Sequence, residues 1–519
     1  MASSDFWNAV GTTQADIERA YAFLLERGDA AASRDIAAHI IRQRLREEQK
    51  RLEELAARRA PIYQPKAIYA VGQRVLFSAF DHREGVVTAI RPSENPRVAP
   101  FQVMTVQLEG ESAPREFAMG YTAPHPLNED REPPVELTLS PEEAIARYGE
   151  LVRTNLVQRM NADKEFVRLD DGWFLRGLLP EIHEGYLHLA EAAIEQSNDA
   201  LRTSDLLKIF EFPPTIKRTA AAFALNVALA NDARFEDVGP RNSPRWFLKR
   251  LEPEEARVRP RILEGAPARI FTLPSELELI AAELQDEADL NGNANQIAAQ
   301  PRDEVLLILT YPHRRAGTLP LTPVVRALLP PFDHPRLRFY FVDTLTQEKF
   351  AGYAVNDGAY IAGLTEWFNA RKLSPGAYIT LKRGSDPLTV LIEYQPQRER
   401  GLWVRVARAV NGQLTFSQEK RPIAHKADEE MLIVIGDPVS LDAAAQKARE
   451  YASLTTLLEE IFPELAKLSG AGRVHAKTLY SAVNLVRRAG PRAVMHALTE
   501  SRVLSSVGGG YFVLNEVRR

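Results

Sequence analysis

A short sequence pattern occurs twice in this chain, and it constrains the fold more than any other feature. The first copy is Asp163-Lys-Glu-Phe-Val-Arg-Leu followed by Trp173-Phe-Leu, and the second is Asp232-Ala-Arg-Phe-Glu-Asp-Val followed by Trp246-Phe-Leu. A shorter third copy begins at Arg502 and ends in Tyr511-Phe-Val-Leu. Each copy has the local chemistry of a β-hairpin, since a turn rich in Gly or Pro separates two apolar strands. Repeats mark reused supersecondary units, so we expect several copies of one small module.

Helical periodicity precedes these hairpins. The predicted helices cover 186–196, 203–210 and 217–230 before the second hairpin, and 454–468, 477–488 and 492–500 before the third. Three short helices closed by a hairpin describe a winged helix, whose last helix usually enters the major groove of DNA. The aromatic residues that recur inside the strands are then expected to be core residues that hold the wings: Phe166, Trp173, Phe235 and Trp246.

The second copy also resembles a known family. Asn231-Asp-Ala-Arg-Phe-Glu-Asp-Val-Gly followed by Trp246-Phe-Leu is similar to the closing segment of the HARE-type winged helix, a fold also found in the delta subunit of bacterial RNA polymerase. The resemblance covers residues 184–253 and departs from the family pattern in its longer wing, 240–245. It implies a binding module rather than a catalyst, with either DNA or RNA polymerase as the partner.

Two further segments have β character. The run Val71-Gly-Gln-Arg-Val-Leu-Phe, followed by Gly85-Val-Val, resembles SH3-like barrels of the Tudor or KOW type, which bind nucleic acid, RNA polymerase or peptides. Residues 304–436 alternate strands with one helical interval at 360–370, and this order resembles the DNA-binding pseudobarrel of B3-type domains.

The predicted fold class is therefore multidomain α+β, with winged-helix units, a small SH3-like β-barrel and a mixed β pseudobarrel. The predicted domains are a helix-turn-helix-like arm (1–62), the barrel (63–128), a helix plus hairpin (140–183), a winged helix (184–261), an acidic linker or helical spacer (262–303), the basic pseudobarrel (304–436) and a C-terminal winged helix (437–519).

Charge is unevenly distributed in this chain, although its net charge is only −4. Residues 262–304 carry nine acidic side chains against two basic ones, whereas 308–426 carry 17 Lys and Arg against nine Asp and Glu. Residues 466–519 carry nine basic side chains against two acidic ones. Local positive potential is what a phosphate backbone requires, although long charged side chains can also simply solvate exposed faces.

The candidate DNA contacts are basic residues that such scaffolds would expose. They are Lys217, Arg218, Arg241 and Arg245 in the second module, Arg314, Arg315, Arg371, Lys372, Lys382, Arg383 and Arg405 in the pseudobarrel, and Lys477, Arg487, Arg488, Arg492 and His496 in the third module. Arg492 and His496 are four residues apart in a helix opened by Pro491, which places them on one face.

No motif in the sequence points to catalysis. There is no phosphate-binding loop of the G-x-x-x-x-G-K type and no H-E-x-x-H pair, so we predict no catalytic residue, metal site, cofactor or small-molecule substrate. The chain has no cysteine and no long apolar run, and we expect a cytoplasmic protein that does not cross a membrane.

These observations favour a non-enzymatic, multivalent DNA-binding protein that acts as a transcriptional regulator or architectural factor. Two alternatives stay open. The chain could be an RNA-polymerase-associated or scaffold protein that uses its modules for protein contacts, or a DNA-recognition subunit of a DNA-processing or defence system.

Overall fold

The computed structural model describes residues 12–57, 60–80, 83–94, 100–128, 139–290 and 302–515. The chain divides into two compact units. The first comprises the residues up to Pro180 together with Ile216–Phe223, and the second comprises Glu181–Thr215 together with the residues from Ala224 onward.

The first unit opens with a helical pair. Its elements are α1 (Gln14–Arg27), the short strand β1 (Ala31–Ala32) and α2 (Ser33–Ala57). A capping box formed by Thr13 and Asp16 starts α1, and Gly28 ends it in the left-handed conformation that glycine adopts without strain. The buried carboxylate of Asp16 accepts a hydrogen bond from Arg44 of α2, which ties the two helices together.

A four-stranded antiparallel meander follows in the chain. Its strands are β2 (Arg74–Phe77), β3 (Arg83–Pro92), β4 (Gln102–Leu108) and β5 (Arg115–Met119), in the order β2-β3-β4-β5. Alternate side chains of each strand point inward, and a cluster of aromatic and aliphatic residues that includes Tyr63, Phe77, Met104 and Val106 forms the core.

The first unit then returns to the helical pair. Helix α3 (Pro141–Ala162) leads into the hairpin β6 (Phe166–Leu169) and β7 (Gly172–Leu175), and β7 pairs with β1. Apolar residues of α1, α2, α3 and the hairpin share one core. The described parts of the segments 1–62 and 140–183, which were predicted to be separate domains, therefore belong to one module that we call module 1. An amphipathic helix shows which face is apolar but not which distant segment covers it.

Module 2 lies mostly in the second unit, although its residues Ile216–Phe223 belong to the first. It consists of α4 (Glu184–Ser197), β8 (Leu201–Arg202), α5 (Thr203–Leu206), α6 (Arg218–Asn231), β9 (Phe235–Asp237) and β10 (Arg245–Leu248), and β8 pairs with β10. The Trp246 indole N–H donates to the Asn226 side chain at 2.9 Å, so the buried indole is satisfied inside the module. A short helix, α7 (Glu254–Arg257), follows the hairpin.

The acidic segment, which we define as the described residues 262–290, contains α8 (Ser275–Leu284) and a 3₁₀ turn at Glu287–Asp289. Leu277, Ala281 and Leu284 of α8 are buried in the core that also contains the C-terminal helices. This part of the predicted 262–303 spacer is therefore packed against the domain that follows it rather than being a linker.

A seven-stranded sheet forms the middle of the second unit. Its elements in chain order are β11 (Glu304–Ile308), α9 (Tyr311–Ala316), β12 (Thr318–Pro320), α10 (Pro323–Arg326), β13 (Arg336–Asp343), β14 (Lys349–Val355), β15 (Tyr360–Ala362), α11 (Thr365–Ala370), β16 (Tyr378–Arg383) and β17 (Thr389–Tyr394). The strand order is β11-β16-β17-β13-β14-β15-β12. The sheet is curled, and its concave face is filled by apolar residues such as Phe339, Phe341 and Ile379.

A long hairpin extends from this sheet. Its strands are β18 (Pro396–Val410) and β19 (Gln413–His425), and β20 (Ile433–Ile435) pairs with β18 in parallel. Helix α12 (Pro438–Ala448) leads to module 3, which comprises α13 (Leu454–Ala466), β21 (Val474–His475), α14 (Ala476–Val483), α15 (Pro491–Glu500), β22 (Leu504–Gly508) and β23 (Tyr511–Leu514).

The three modules share one topology. In each of them a helix, a short strand, two more helices and a hairpin follow in order, and the short strand pairs with the second strand of the hairpin. The predicted multidomain α+β class is confirmed at this level. Among the described helices, none is both long and apolar enough to cross a membrane.

Candidate nucleic-acid interface

Arg488, one of the predicted DNA contacts of module 3, lies in the interior. Its guanidinium side chain is 2% exposed and forms ion pairs with the carboxylates of Asp286 and Glu287 in the acidic segment. Glu287 also contacts His313 Nε2 at 2.8 Å, so the charges form one buried network. The expectation that Arg488 is exposed is wrong. Without its guanidinium the two buried carboxylates would have no cation, and an unpaired buried charge strongly destabilises the folded state.

The other predicted contacts of module 3 also meet the acidic segment. Arg492 pairs with Glu278, and its backbone N–H donates to the Asp289 carboxylate at 3.0 Å. The Lys477 ammonium group is 2.7 Å from Glu283 and 2.9 Å from Asp428.

The ring of His496 in module 3 lies 4.6 Å from that of Phe271, a residue of the acidic segment. Arg487 donates to the Tyr451 carbonyl at 3.2 Å. Of these five predicted residues, only Arg487 makes no contact with the acidic segment among the described contacts.

The turn of the module 3 hairpin meets the acidic segment as well. The Gly510 N–H donates to the Glu276 carboxylate at 2.7 Å. Carboxylates of one segment therefore reach both the hairpin turn and the start of α15, the helix that carries the predicted DNA contacts Arg492 and His496. The acidic segment neutralises this face of module 3.

The predicted contacts in the middle domain are mostly paired within the second unit. Arg315 pairs with Asp442, Arg371 with Asp343 and Glu348, Lys382 with Glu393 and Glu304, Arg383 with Asp303, and Arg405 with Glu430. Arg314 is half-buried and donates to the Leu373 carbonyl and the Asn369 side chain. Lys372 is exposed in a left-handed backbone conformation. Lys372 is the member of this set that makes no hydrogen bond or ion pair with a described side chain.

The predicted contacts around module 2 fall into two groups. The Arg241 guanidinium pairs with Asp333 and its backbone N–H donates to the Pro331 carbonyl, so this residue joins the module 2 hairpin to the middle domain. Arg245 is half-buried, and its Nε has no hydrogen-bond partner among the described residues. Lys217 and Arg218 are exposed.

Several basic residues remain uncompensated on or beside the long hairpin, and none of them is among the predicted DNA contacts. Arg398, Arg400, Lys420 and Lys426 are exposed and form no ion pair with any described residue. Trp403 lies among them with 70% of its surface exposed, whereas the other described tryptophans are buried. We call these five residues the hairpin surface. The run Arg398-Glu-Arg-Gly-Leu-Trp carried the signal, since an aromatic residue among spaced arginines is typical of nucleic-acid contacts.

A cleft adjoins the hairpin surface. It has a volume of about 470 Å³, and Trp403 and Arg405 of β18 line it together with Arg473, His475 and Tyr511 of module 3. The Arg473 guanidinium lies 4.7 Å from the centre of the Tyr511 ring, and the His475 ring meets that ring edge-on at 4.9 Å. The cleft thus combines aromatic faces with cations.

The described residues contain no group of three or more His, Asp or Glu side chains positioned to hold a metal ion. Comparison with known proteins gave no significant match to a family model, a curated protein or a solved structure.

Proposed function

We propose that this chain is a non-enzymatic nucleic-acid-binding protein that contacts duplex DNA at several places. The observation that carries the proposal is the hairpin surface, where three exposed cations lie on two paired strands and Lys426 directly follows the second strand, all four without carboxylate partners among the described residues. Most predicted cations elsewhere are already paired with carboxylates, so they have less capacity to attract phosphate. Uncompensated cations release counterions when they meet a phosphate backbone, and this release is a main source of DNA affinity.

The three modules are, in this proposal, winged helices. Their common order of elements and the pairing of the short strand with the second hairpin strand support it. The same proposal assigns the meander of β2–β5 to an SH3-like barrel and the curled sheet to a pseudobarrel. In this proposal Lys217 and Arg218 near the start of α6 remain candidate contacts, because both are exposed at the beginning of the third helix of module 2.

A scaffold role is the second candidate, and an apolar surface favours it. Val503, Val507 and Leu514 are exposed on or beside the module 3 hairpin, whose turn meets the acidic segment. An apolar hairpin of this kind suits a protein partner such as RNA polymerase better than it suits phosphate.

A salt-titrated binding assay with random-sequence duplex DNA tests the DNA proposal. The variant combines Arg398→Ala, Arg400→Ala and Lys420→Ala, and the control combines Arg241→Ala, Arg315→Ala and Lys382→Ala, which remove the same formal charge from paired positions. We expect the hairpin variant to lower the slope of log affinity against log salt by about one for each lost phosphate contact. The control should change this slope much less.

Equal slopes for the two variants would contradict the assignment to the hairpin surface. Wild-type protein that shows no salt-dependent binding to duplex would contradict the DNA proposal itself and leave the scaffold candidate.

A further inference from the structure

One face of the long hairpin is buried near the turn and exposed further from it. Ala407 pairs with Phe416, and both side chains are buried in the core shared with module 3. Trp403 precedes Ala407 by four residues in β18, and it pairs with Lys420, which follows Phe416 by four residues in β19. Because side chains alternate across a strand, these two residues lie on the same face as Ala407 and Phe416, at the point where that face leaves the core. This exposed continuation of the face forms one wall of the cleft.

Tyr511 of β23 lies on the opposite wall, and its position is fixed by hydrogen bonds. Its hydroxyl donates to Glu430 Oε1 at 2.8 Å, and the other oxygen of Glu430 is 3.0 Å from the Arg405 guanidinium. Thr478 also donates to Glu430. The Glu430 charge is thereby satisfied inside the wall, so it does not repel an anionic ligand as a free carboxylate would.

One cation, Arg473, lines the cleft, and a second, Lys420, lies next to it. Arg473 lies over the Tyr511 ring, and Lys420 extends its alkyl chain past Gly401 on the same face as Trp403. Glu429 is the other carboxylate that lines the cleft, and it is exposed. Arg473 lines the cleft, and Lys420 lies beside it as the strand partner of Trp403, so both cations are near the path of the phosphates that flank a bound base.

The dimensions of the cleft and its aromatic lining favour an unpaired base over a base inside a duplex. A base inside a duplex is stacked on both sides and offers no free aromatic face, whereas an unpaired base stacks readily on a tryptophan or tyrosine ring. The volume of about 470 Å³ accommodates a nucleotide but not a double helix.

We propose that the cleft between Trp403 and Tyr511 binds one unpaired nucleobase of a single-stranded nucleic acid, with Trp403 as a stacking platform and Arg473 and Lys420 as phosphate contacts. This inference rests on the proposed function, which it deepens by adding a single-strand site beside the duplex contacts.

Tryptophan fluorescence tests this inference directly. Trp173, Trp246 and Trp367 are buried, and Trp7 lies outside the described residues, so a Trp7→Phe background makes Trp403 the main exposed reporter. We expect a short oligothymidylate to quench this fluorescence and the matching duplex to leave it nearly unchanged. In the same background, Trp403→Phe should lose the signal but keep most of the affinity, because phenylalanine still stacks.

Binding measured by anisotropy of a labelled oligothymidylate then separates the outcomes. Trp403→Ala should weaken single-strand binding by roughly five- to 150-fold, the range for one stacked base, with unchanged duplex affinity. Val410→Ala, at an exposed position of the same strand that does not line the cleft, should leave both affinities unchanged. Single-strand binding that survives Trp403→Ala, or an equal loss on duplex, overturns the inference. Failure of wild-type protein to bind either probe overturns the proposed function instead.

Discussion

Arg488 and Asp286 form a bidentate ion pair in the interior, although they are 202 positions apart in the chain. One guanidinium nitrogen lies 2.7 Å from a carboxylate oxygen, and the side chains are 2% and 1% exposed. The Tyr480 hydroxyl donates to the same carboxylate. This contact fastens the acidic segment to module 3.

Replacing Arg488 should therefore strongly destabilise this part of the molecule. Arg488→Met leaves the Asp286 and Glu287 carboxylates buried without their cation, and breaking a buried pair in this way costs about 3–5 kcal/mol. Hydrogen exchange of the α8 and α14 amides measures the effect locally. Arg487→Met is the matched control, since its guanidinium makes one bond to a carbonyl and should cost about 1 kcal/mol. Similar losses of protection in both variants would contradict the structural role of the ion pair.

The titration of Asp289 should make the free energy of unfolding fall as the pH rises. Burial, above all, and the nearby Asp286 carboxylate raise the pKa of Asp289 from 3.8 to about 7. The folded protein thus keeps a proton there that the unfolded chain releases. The resulting stabilisation is complete below the unfolded pKa and is lost as the pH rises through the folded pKa.

The measurement for Asp289 is the unfolding midpoint at several pH values between these two pKa values. Asp289→Asn should flatten the fall, because a neutral amide oxygen can still accept the Arg492 N–H but no longer titrates. Asp357→Asn, at an exposed position, should leave the slope as in the wild-type protein. A slope that persists in Asp289→Asn would show that another group titrates.

Local patterns in the sequence were sufficient to predict the three hairpins but not which distant segments and charges pack against them. The prediction that Phe166, Trp173, Phe235 and Trp246 are core residues is confirmed, since all four are buried. Their fixed spacing within strands carried that information. The burial of Arg488 depends on carboxylates some 200 residues earlier, and segment charge does not reveal whether a side chain meets water or an opposite charge. The run from Arg398 to Trp403 could have indicated the hairpin surface, but which of its cations remain unpaired is a property of the folded chain.

Module 1 should unfold as one body although a β-meander separates its halves in sequence. Leu156 of α3 is fully buried in the core that α1 and α2 share. Leu156→Ala should cost about 2–5 kcal/mol through lost contacts and a cavity, and the protection of the α1 amides should fall with that of α3. Leu151→Ala, at a 47% exposed position of the same helix, should have little effect. Loss of protection confined to α3 would contradict the shared core.

Glu278 should limit DNA binding by module 3. Its ion pair with Arg492 is partly exposed, so Glu278→Gln should cost little stability while it releases one cation at the start of α15. Under the proposed DNA function, this variant should bind random duplex more tightly and with a salt slope steeper by about one. Glu264→Gln is the control for charge alone. It removes an exposed carboxylate of the same segment that makes no ion pair with the described residues. If the two variants gained affinity equally, general electrostatics would explain the gain, and the acidic segment would have no specific hold on Arg492.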